Sequence, residues 1–182
     1  MTRIFRCAAV SAAIWAASEL LVTVEAQIPA ATVQSDAIAE LKRRRLEVPV
    51  VGVARKDLHD SFHDARGEGI HKAIDILAPR NTPVIAVENG TIVKLFYSKL
   101  GGNTIYQFDP SSTYEYYYAH LERYAPGITE GMKVTRGQVI GYVGTSGNAP
   151  PNTPHLHFET SVLEDRKQWW KATELDPYEI LK

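Results

Sequence analysis

After residue 47 the chain alternates apolar and polar positions in short runs broken by turn residues, with no sustained helical period. The runs in PVIAVENGTIVKLFY, NTIYQFD, YEYYYAHL, KVTRGQVIGYVG and HLHFETSV are rich in β-branched and aromatic residues, and Gly, Asn, Asp and Pro collect between them. Strands alternating with turns in this way predict a mostly β domain built on a small antiparallel sheet or sandwich. Asn89-Gly90 predicts a tight hairpin between its flanking runs, because both residues tolerate the positive φ of a type I′ turn. A second hairpin, with a longer loop, is expected across Asp109-Pro110-Ser111-Ser112-Thr113. Ahead of the strands, QIPAATVQSD reads as a linker, and Ser35-Asp36 is placed to cap a short helix through AIAELKRRRL. The closing stretch, EDRKQWWKATELDPYEILK, is expected to form a turn of helix or to wrap the domain.

The first residues follow another pattern. Arg3 and Arg6 precede an Ala/Val/Ile/Trp-rich run, and small residues surround Val24-Glu25-Ala26. This reads as a signal peptide ending near Ala26, with an uncleaved membrane anchor as the competing reading. Glu19 interrupts the apolar run, which falls short of the ~20 apolar residues a spanning helix needs. The expected organisation is a leader over residues 1–26, a linker and short helix over 27–46, and one domain over 47–182. The single cysteine, Cys7, lies in the leader, so a processed chain has no thiol for a disulfide or a metal. Lys plus Arg number 20 and Asp plus Glu 21, a net charge of −1, which lacks the basic excess of a nucleic-acid binder. The run Lys42-Arg43-Arg44-Arg45 is expected to be a solvated helix end.

The histidines carry the candidate chemistry. His155 and His157 flank Leu156 in HLHFE, and on a strand both imidazoles point to one face while Leu156 and Phe158 face the other. In GIHKAIDI, His71, Ala73 and Asp75 share one face if the segment is extended, and the small Ala73 leaves room for an ion between its neighbours. Catalytic zinc takes three protein ligands and an open position for water. His71, Asp75 and one histidine of HLHFE make such a set, and the pattern does not say which one. Tyr114, Tyr116, Tyr118 and His120 share strand parity. Alone, that describes an aromatic strand face with a satisfied histidine; beside the other two motifs it makes His120 a site candidate. His59 and His63, in the polar loop DLHDSFHDARGEG, are expected at the surface, with His63 the nearer to a cleft. A cupin-like histidine pair would need a later glutamate and a further histidine, and the helical H-E-x-x-H motif is absent.

HKAID, YAHL, TSGN and HLHFE, in this order, closely resemble the LytM/lysostaphin-like zinc metallopeptidases, which cleave peptide bonds in bacterial peptidoglycan. LGGNTI, LAPRNTPVIAVENGTIV and RGQVIGYVG resemble the strand and turn framework of the same family, and the likeness covers about residues 47–182. It implies the duplicated hybrid motif fold, with an open zinc-binding groove between loops. It also implies one zinc per chain on His71, Asp75 and His157, with His120 and His155 as the catalytic imidazoles. Two positions and one stretch depart from the family pattern. Ala73 stands between histidine and aspartate where glycine is common, His63 stands where glycine is expected, and residues 64–70, DARGEGI, offer no tyrosine to help stabilise the intermediate.

The resulting expectation is an exported zinc metalloendopeptidase of the periplasm or cell envelope, hydrolysing peptidoglycan stem peptides or cross-links. An envelope-protein regulator is a compatible partner; nucleic acid is not expected. The alternatives are a non-enzymatic relative that activates another wall hydrolase, and a zinc peptidase acting on a peptide outside the wall. All five expected site residues are present, which weighs against the first.

Overall fold

The computed structural model describes residues 30–67, 69–165 and 168–182. The leader expected over residues 1–26 lies outside them. Helix α1 (Ala30–Arg44) leads into a loop with one 3-10 turn at Arg55–Asp57. A two-residue pair, β1 (Ala65–Arg66) and β2 (Gly69–Ile70), comes next. The main sheet is built from β3 (Ile74–Leu77), β4 (Pro83–Ile85), β5 (Gly90–Ser98), β6 (Gly102–Phe108), β7 (Tyr114–Tyr124), β8 (Lys133–Val134), β9 (Val139–Val143), β10 (His155–Leu163) and β11 (Ala172–Leu175). Helix α2 (Pro177–Leu181) follows, capped by the Asp176 carboxylate, which accepts from the N–H groups of Tyr178 and Glu179.

The expected mostly β, antiparallel architecture is what forms: every strand pair is antiparallel, in the order β11-β10-β7-β6-β5-β8. Strand β3 adds to β10, and β9 joins β7 to β4. Alternation does the sorting. Leu156 and Phe158 of β10, Ile74 and Ile76 of β3, and Tyr116 and Tyr118 of β7 enter one apolar core. A fully buried Leu or Phe contributes roughly 1.5–3 kcal/mol. The opposite face of β3, β7 and β10 is left open, and it carries the site.

The hairpin across Asp109–Thr113 forms as expected, joining β6 to β7. The Asp109 carboxylate holds it by accepting from the N–H groups of Thr113, Tyr114 and Ser111.

Asn89-Gly90 does not close a hairpin. Strand β4 pairs with β9, whereas β5 pairs with β6 and β8. Neither residue has positive φ. Glycine is needed at 90 because a Cβ there would lie 2.2 Å from Phe108 O on the neighbouring strand.

The N-terminal helix also departs from expectation. It is already helical at Ala30, and Ser35 lies inside it, its hydroxyl donating back to Thr32 O at 2.9 Å. Its buried residues, Ala37 and Leu41, are four apart and face the core, and Arg45, at φ 53°, ends it in a left-handed turn. Nor is the basic run wholly solvated. Arg44 reaches inward to Glu88 at 3.1 Å and to Asp109 at 3.0 Å, and also bonds Glu40 one turn earlier at 2.6 Å. Its guanidinium therefore ties α1 to two buried carboxylates of the β domain.

Candidate metal centre and groove

Strands β3 and β10 put Asp75 directly opposite His157, and His155 opposite Leu77. On the other flank His157 faces Ala119 and Glu159 faces Tyr117 of β7. The open face thus carries His155, His157 and Glu159 from β10, Asp75 and Leu77 from β3, and Tyr117 and Ala119 from β7. These residues line a groove of about 600 Å³, with Arg66 and Leu100 on its flanks.

His71 arrives by a different route than a continuous strand. Lys72, at φ 57°, breaks the chain between β2 and β3, and Ala73 is fully buried. The turn brings His71 Nε2 within 3.1 Å of Asp75 Oδ1. Ser61 fastens this segment: its carbonyl oxygen faces His71 Nδ1 at 3.0 Å, and its hydroxyl accepts from the Asp75 N–H at 3.3 Å.

His120 does not follow the parity of the tyrosines before it. Asn103 pairs with Leu121 and Ile105 with Tyr118, so two steps on β6 oppose three on β7. This is a β-bulge, and His120 occupies it with φ 58°. Tyr116 and Tyr118 stay in the core while His120 turns to the groove, its ring 4.9 Å from that of His155 and 5.6 Å from that of His157. Two glycine-bearing turns hold the bulge. The His120 N–H donates to Gly101 O at 2.7 Å, and Nδ1 faces Ser146 O at 2.9 Å.

The outward nitrogen of each imidazole shows what its inward nitrogen can do. A carbonyl oxygen only accepts, so the nitrogen facing it bears the proton. That fixes Nδ1–H on His71 against Ser61 O, on His120 against Ser146 O, and on His155 against Thr153 O at 2.8 Å. His157 is reversed: Nε2 donates to the Glu159 carboxylate at 2.8 Å, leaving Nδ1 inward. In their neutral forms all four rings then aim a lone pair at the groove. His71 Nε2 and His157 Nδ1 lie 3.0 Å apart, and Asp75 Oδ1 is 3.1 Å from the first and 3.2 Å from the second. Two neutral imidazoles and an anionic oxygen at such distances repel one another unless a positive charge, a proton or a metal cation, joins them. His71, Asp75 and His157 are grouped closely enough to hold one cation.

The titration behaviour reports the same field. Burial alone would raise the Asp75 carboxyl, but the imidazoles of His157 and His71 outweigh it and hold Asp75 well below the usual carboxylate range. Burial would lower His157, yet the Asp75 and Glu159 carboxylates hold it up at about 9, so without a metal ion its Nδ1 carries at neutral pH the proton that a bound cation would displace. For His120 burial prevails over its bond to Ser146 O, pushing it down to about 4, so it is neutral at pH 7.

All five residues singled out in the sequence therefore meet in one groove. His59 and His63 are exposed, and His63 does not line it. Three further residues belong to the site. Glu159 and Tyr117 were recoverable from strand parity, as the positions two beyond His157 and two before Ala119. Arg66, whose Nη2 lies 2.7 Å from Asp75 Oδ2, carried no signal in its exposed loop.

Fold and site together define a class: an antiparallel β domain with an open groove whose His/Asp/His cluster suits a divalent cation. Over residues 69–174 the chain matches Peptidase family M23, and it belongs to that family. It is 39% identical over 130 residues to the L-Ala--D-Glu endopeptidase of Bacillus subtilis strain 168, covering 67% of this chain and 38% of that protein. It is 37% identical over 92 residues to the peptidoglycan DD-endopeptidase ShyC of Vibrio cholerae, covering 50% of this chain and 20% of that one. Among solved structures, the catalytic domain of the antimicrobial peptidase lysostaphin from Staphylococcus simulans matches at a TM-score of 0.53 and 31% identity, over 62% of this chain and 81% of that one. The chain thus spans well under half the length of these two relatives.

Proposed function

We propose that this chain is an exported, zinc-dependent endopeptidase that hydrolyses peptide bonds in peptidoglycan stem peptides or cross-links. The observation that carries the reading is the orientation of the four imidazoles. Each outward nitrogen is anchored on an oxygen, so every inward nitrogen faces one groove and, once a cation has displaced the proton that His157 Nδ1 otherwise holds, presents a lone pair to it. The donor set of two imidazole nitrogens and one carboxylate oxygen, without thiolate, is that of a catalytic zinc with a fourth position for water. Such a zinc supplies Lewis acidity and brings the pKa of a bound water to about 7.

The chain's own residues do the rest. His71, Asp75 and His157 hold the ion, and Glu159 keeps the His157 ring turned so that Nδ1 faces it. His120, neutral and aimed inward, accepts a proton at Nε2 from the attacking water. His155 presents its own Nε2 to the same space, where a protonated imidazole donates a hydrogen bond to the oxyanion developing on the substrate carbonyl, and the proton taken up by His120 passes to the leaving amine as the C–N bond breaks. Exposed Ile70, Leu77 and Leu100 border the groove and give an extended peptide an apolar rim. The peptidoglycan assignment rests on what the family's named relatives act on. Export rests on the leader-like residues 1–26.

The test is incubation of the purified chain with intact peptidoglycan, with and without a chelator, followed by mass spectrometry of released fragments. Fragments with new amino and carboxyl ends, lost with chelator and restored by zinc, are expected. A chain that binds zinc but releases nothing would overturn the wall substrate, and one that binds no zinc would overturn the metal centre.

A further inference from the structure

Arg66 stands on β1, in the exposed β1–β2 pair, whose base is bonded to the segment carrying His71. The His71 N–H donates to Asp64 O and the Lys72 N–H to Phe62 O, both at 2.9 Å. From there the side chain reaches across the groove, and its Nη2 meets Asp75 Oδ2 at 2.7 Å. The two oxygens of Asp75 are thereby divided. Oδ1 faces His71 Nε2 and His157 Nδ1, while Oδ2 is taken by the guanidinium.

We propose that Arg66 is a positioning residue that makes Asp75 a one-oxygen ligand by occupying its second oxygen. The inference rests on the zinc reading above. A carboxylate with both oxygens free can bind a cation through either one or through both. Binding through both crowds the position that a hydrolytic site leaves for water. With Oδ2 held, only Oδ1 turns inward, and three protein donors leave the fourth position open. A planar guanidinium fixes the carboxylate plane better than an ammonium can, which favours arginine over lysine here.

The bland alternative is a solvent-facing ion pair, since about half of the Arg66 side chain is exposed, and such pairs contribute little. The two accounts differ in sign for metal binding. If Arg66 acted only through its positive charge, removing it would leave zinc affinity unchanged or raise it. If it positions Asp75, removal lowers affinity, by about 10–100-fold for a partner that orients a ligand.

The experiment measures zinc affinity by chelator competition and the visible spectrum of the Co²⁺-loaded chain, for wild type, Arg66→Met and Arg66→Lys. Expected are a 10–100-fold loss in Arg66→Met, partial recovery in Arg66→Lys, and a cobalt spectrum that moves from the intense four-coordinate form toward a weaker, higher-coordinate one. The urea midpoint of the metal-free protein is expected to stay unchanged, which separates this loss from unfolding. Unchanged or tighter zinc binding in Arg66→Met, with an unaltered cobalt spectrum, overturns the inference and leaves the metal centre standing. Wild-type protein that binds neither metal overturns the metal centre itself, and the inference with it.

Discussion

Gly147→Ala asks whether the two glycine-bearing turns set the position of His120. Gly147 has φ 76°, and a Cβ there would lie 2.2 Å from Leu100 O and 2.4 Å from Gly102 N. Both are backbone atoms, so neither can swing aside. Restoring ordinary contact, 3.4 Å or more, requires the LGGN and TSGN turns to part by about 1 Å. The left-handed backbone adds roughly 1–2 kcal/mol once a Cβ is present. His120 is bonded to both turns, through Gly101 O and Ser146 O. Its ring is therefore displaced relative to the His71, Asp75 and His157 cluster, which hangs from β3, β10 and the segment before β3. A misplacement of about 1 Å costs turnover on the order of 100-fold. The assay is kcat on soluble peptidoglycan fragments, with zinc per chain and the urea midpoint measured in parallel. Turnover is expected to fall while zinc stays bound. Full turnover in a folded Gly147→Ala chain would refute the argument that the clasp positions His120. Loss of zinc in step with turnover would refute the separation of His120 from the metal cluster.

Other expectations follow from the same geometry. His120→Ala should retain zinc and lose about 10²–10⁴-fold in turnover, the usual contribution of a positioned acid or base, whereas His71→Ala and Asp75→Ala should lose both; metal analysis beside kinetics distinguishes them. Arg44→Met takes the guanidinium from Glu88 and Asp109, whose side chains are 9% and 1% exposed. Among the described residues these two keep only neutral donors, the Tyr116 hydroxyl on Glu88 and the Ser111, Thr113 and Tyr114 groups on Asp109. Breaking a buried pair costs about 3–5 kcal/mol, and partial solvation of Arg44 and the other donors to Asp109 reduce this to about 2–4. A urea midpoint equal to that of wild type would show that Arg44 does not hold α1. Glu115 is buried, and desolvation, aided by the nearby Glu159 charge, pushes its carboxyl up to about 8 from an ordinary 4.5. The folded chain holds that proton more tightly than the unfolded chain, so the associated stability is full below about 4.5 and is lost as pH rises through 8. Glu115→Gln cannot ionise, and its urea midpoint should fall less than that of wild type between pH 6 and 9. Parallel declines would show that Glu115 is not the group responsible.

Much of the site was legible because its signals are local. Period-two alternation put His155 and His157 on one face and Leu156 and Phe158 on the other, and the structure keeps that division. The same alternation failed at His120, because a bulge is a mismatch between two strands and neither strand records it alone. Asn89-Gly90 misled for a related reason. Its dipeptide signal describes a turn, but Gly90 is required by the approach of Phe108 O from β6.

From its sequence this protein determined its strand-and-turn character, the residue types of its candidate metal cluster and the family likeness they carry. All three reside in short stretches of chain. Tertiary structure decided which nitrogen of each histidine faces the groove, because the answer lies in oxygens contributed by Ser61, Ser146, Thr153 and Glu159. It also decided that Arg44 anchors the N-terminal helix and that Arg66 takes the second oxygen of Asp75. Some of these contacts join residues distant in the chain, as His120 with Ser146 and Arg44 with Asp109, and the nearer ones, His155 with Thr153, His157 with Glu159 and Arg66 with Asp75, depend on the backbone path that only the folded strands and turns fix.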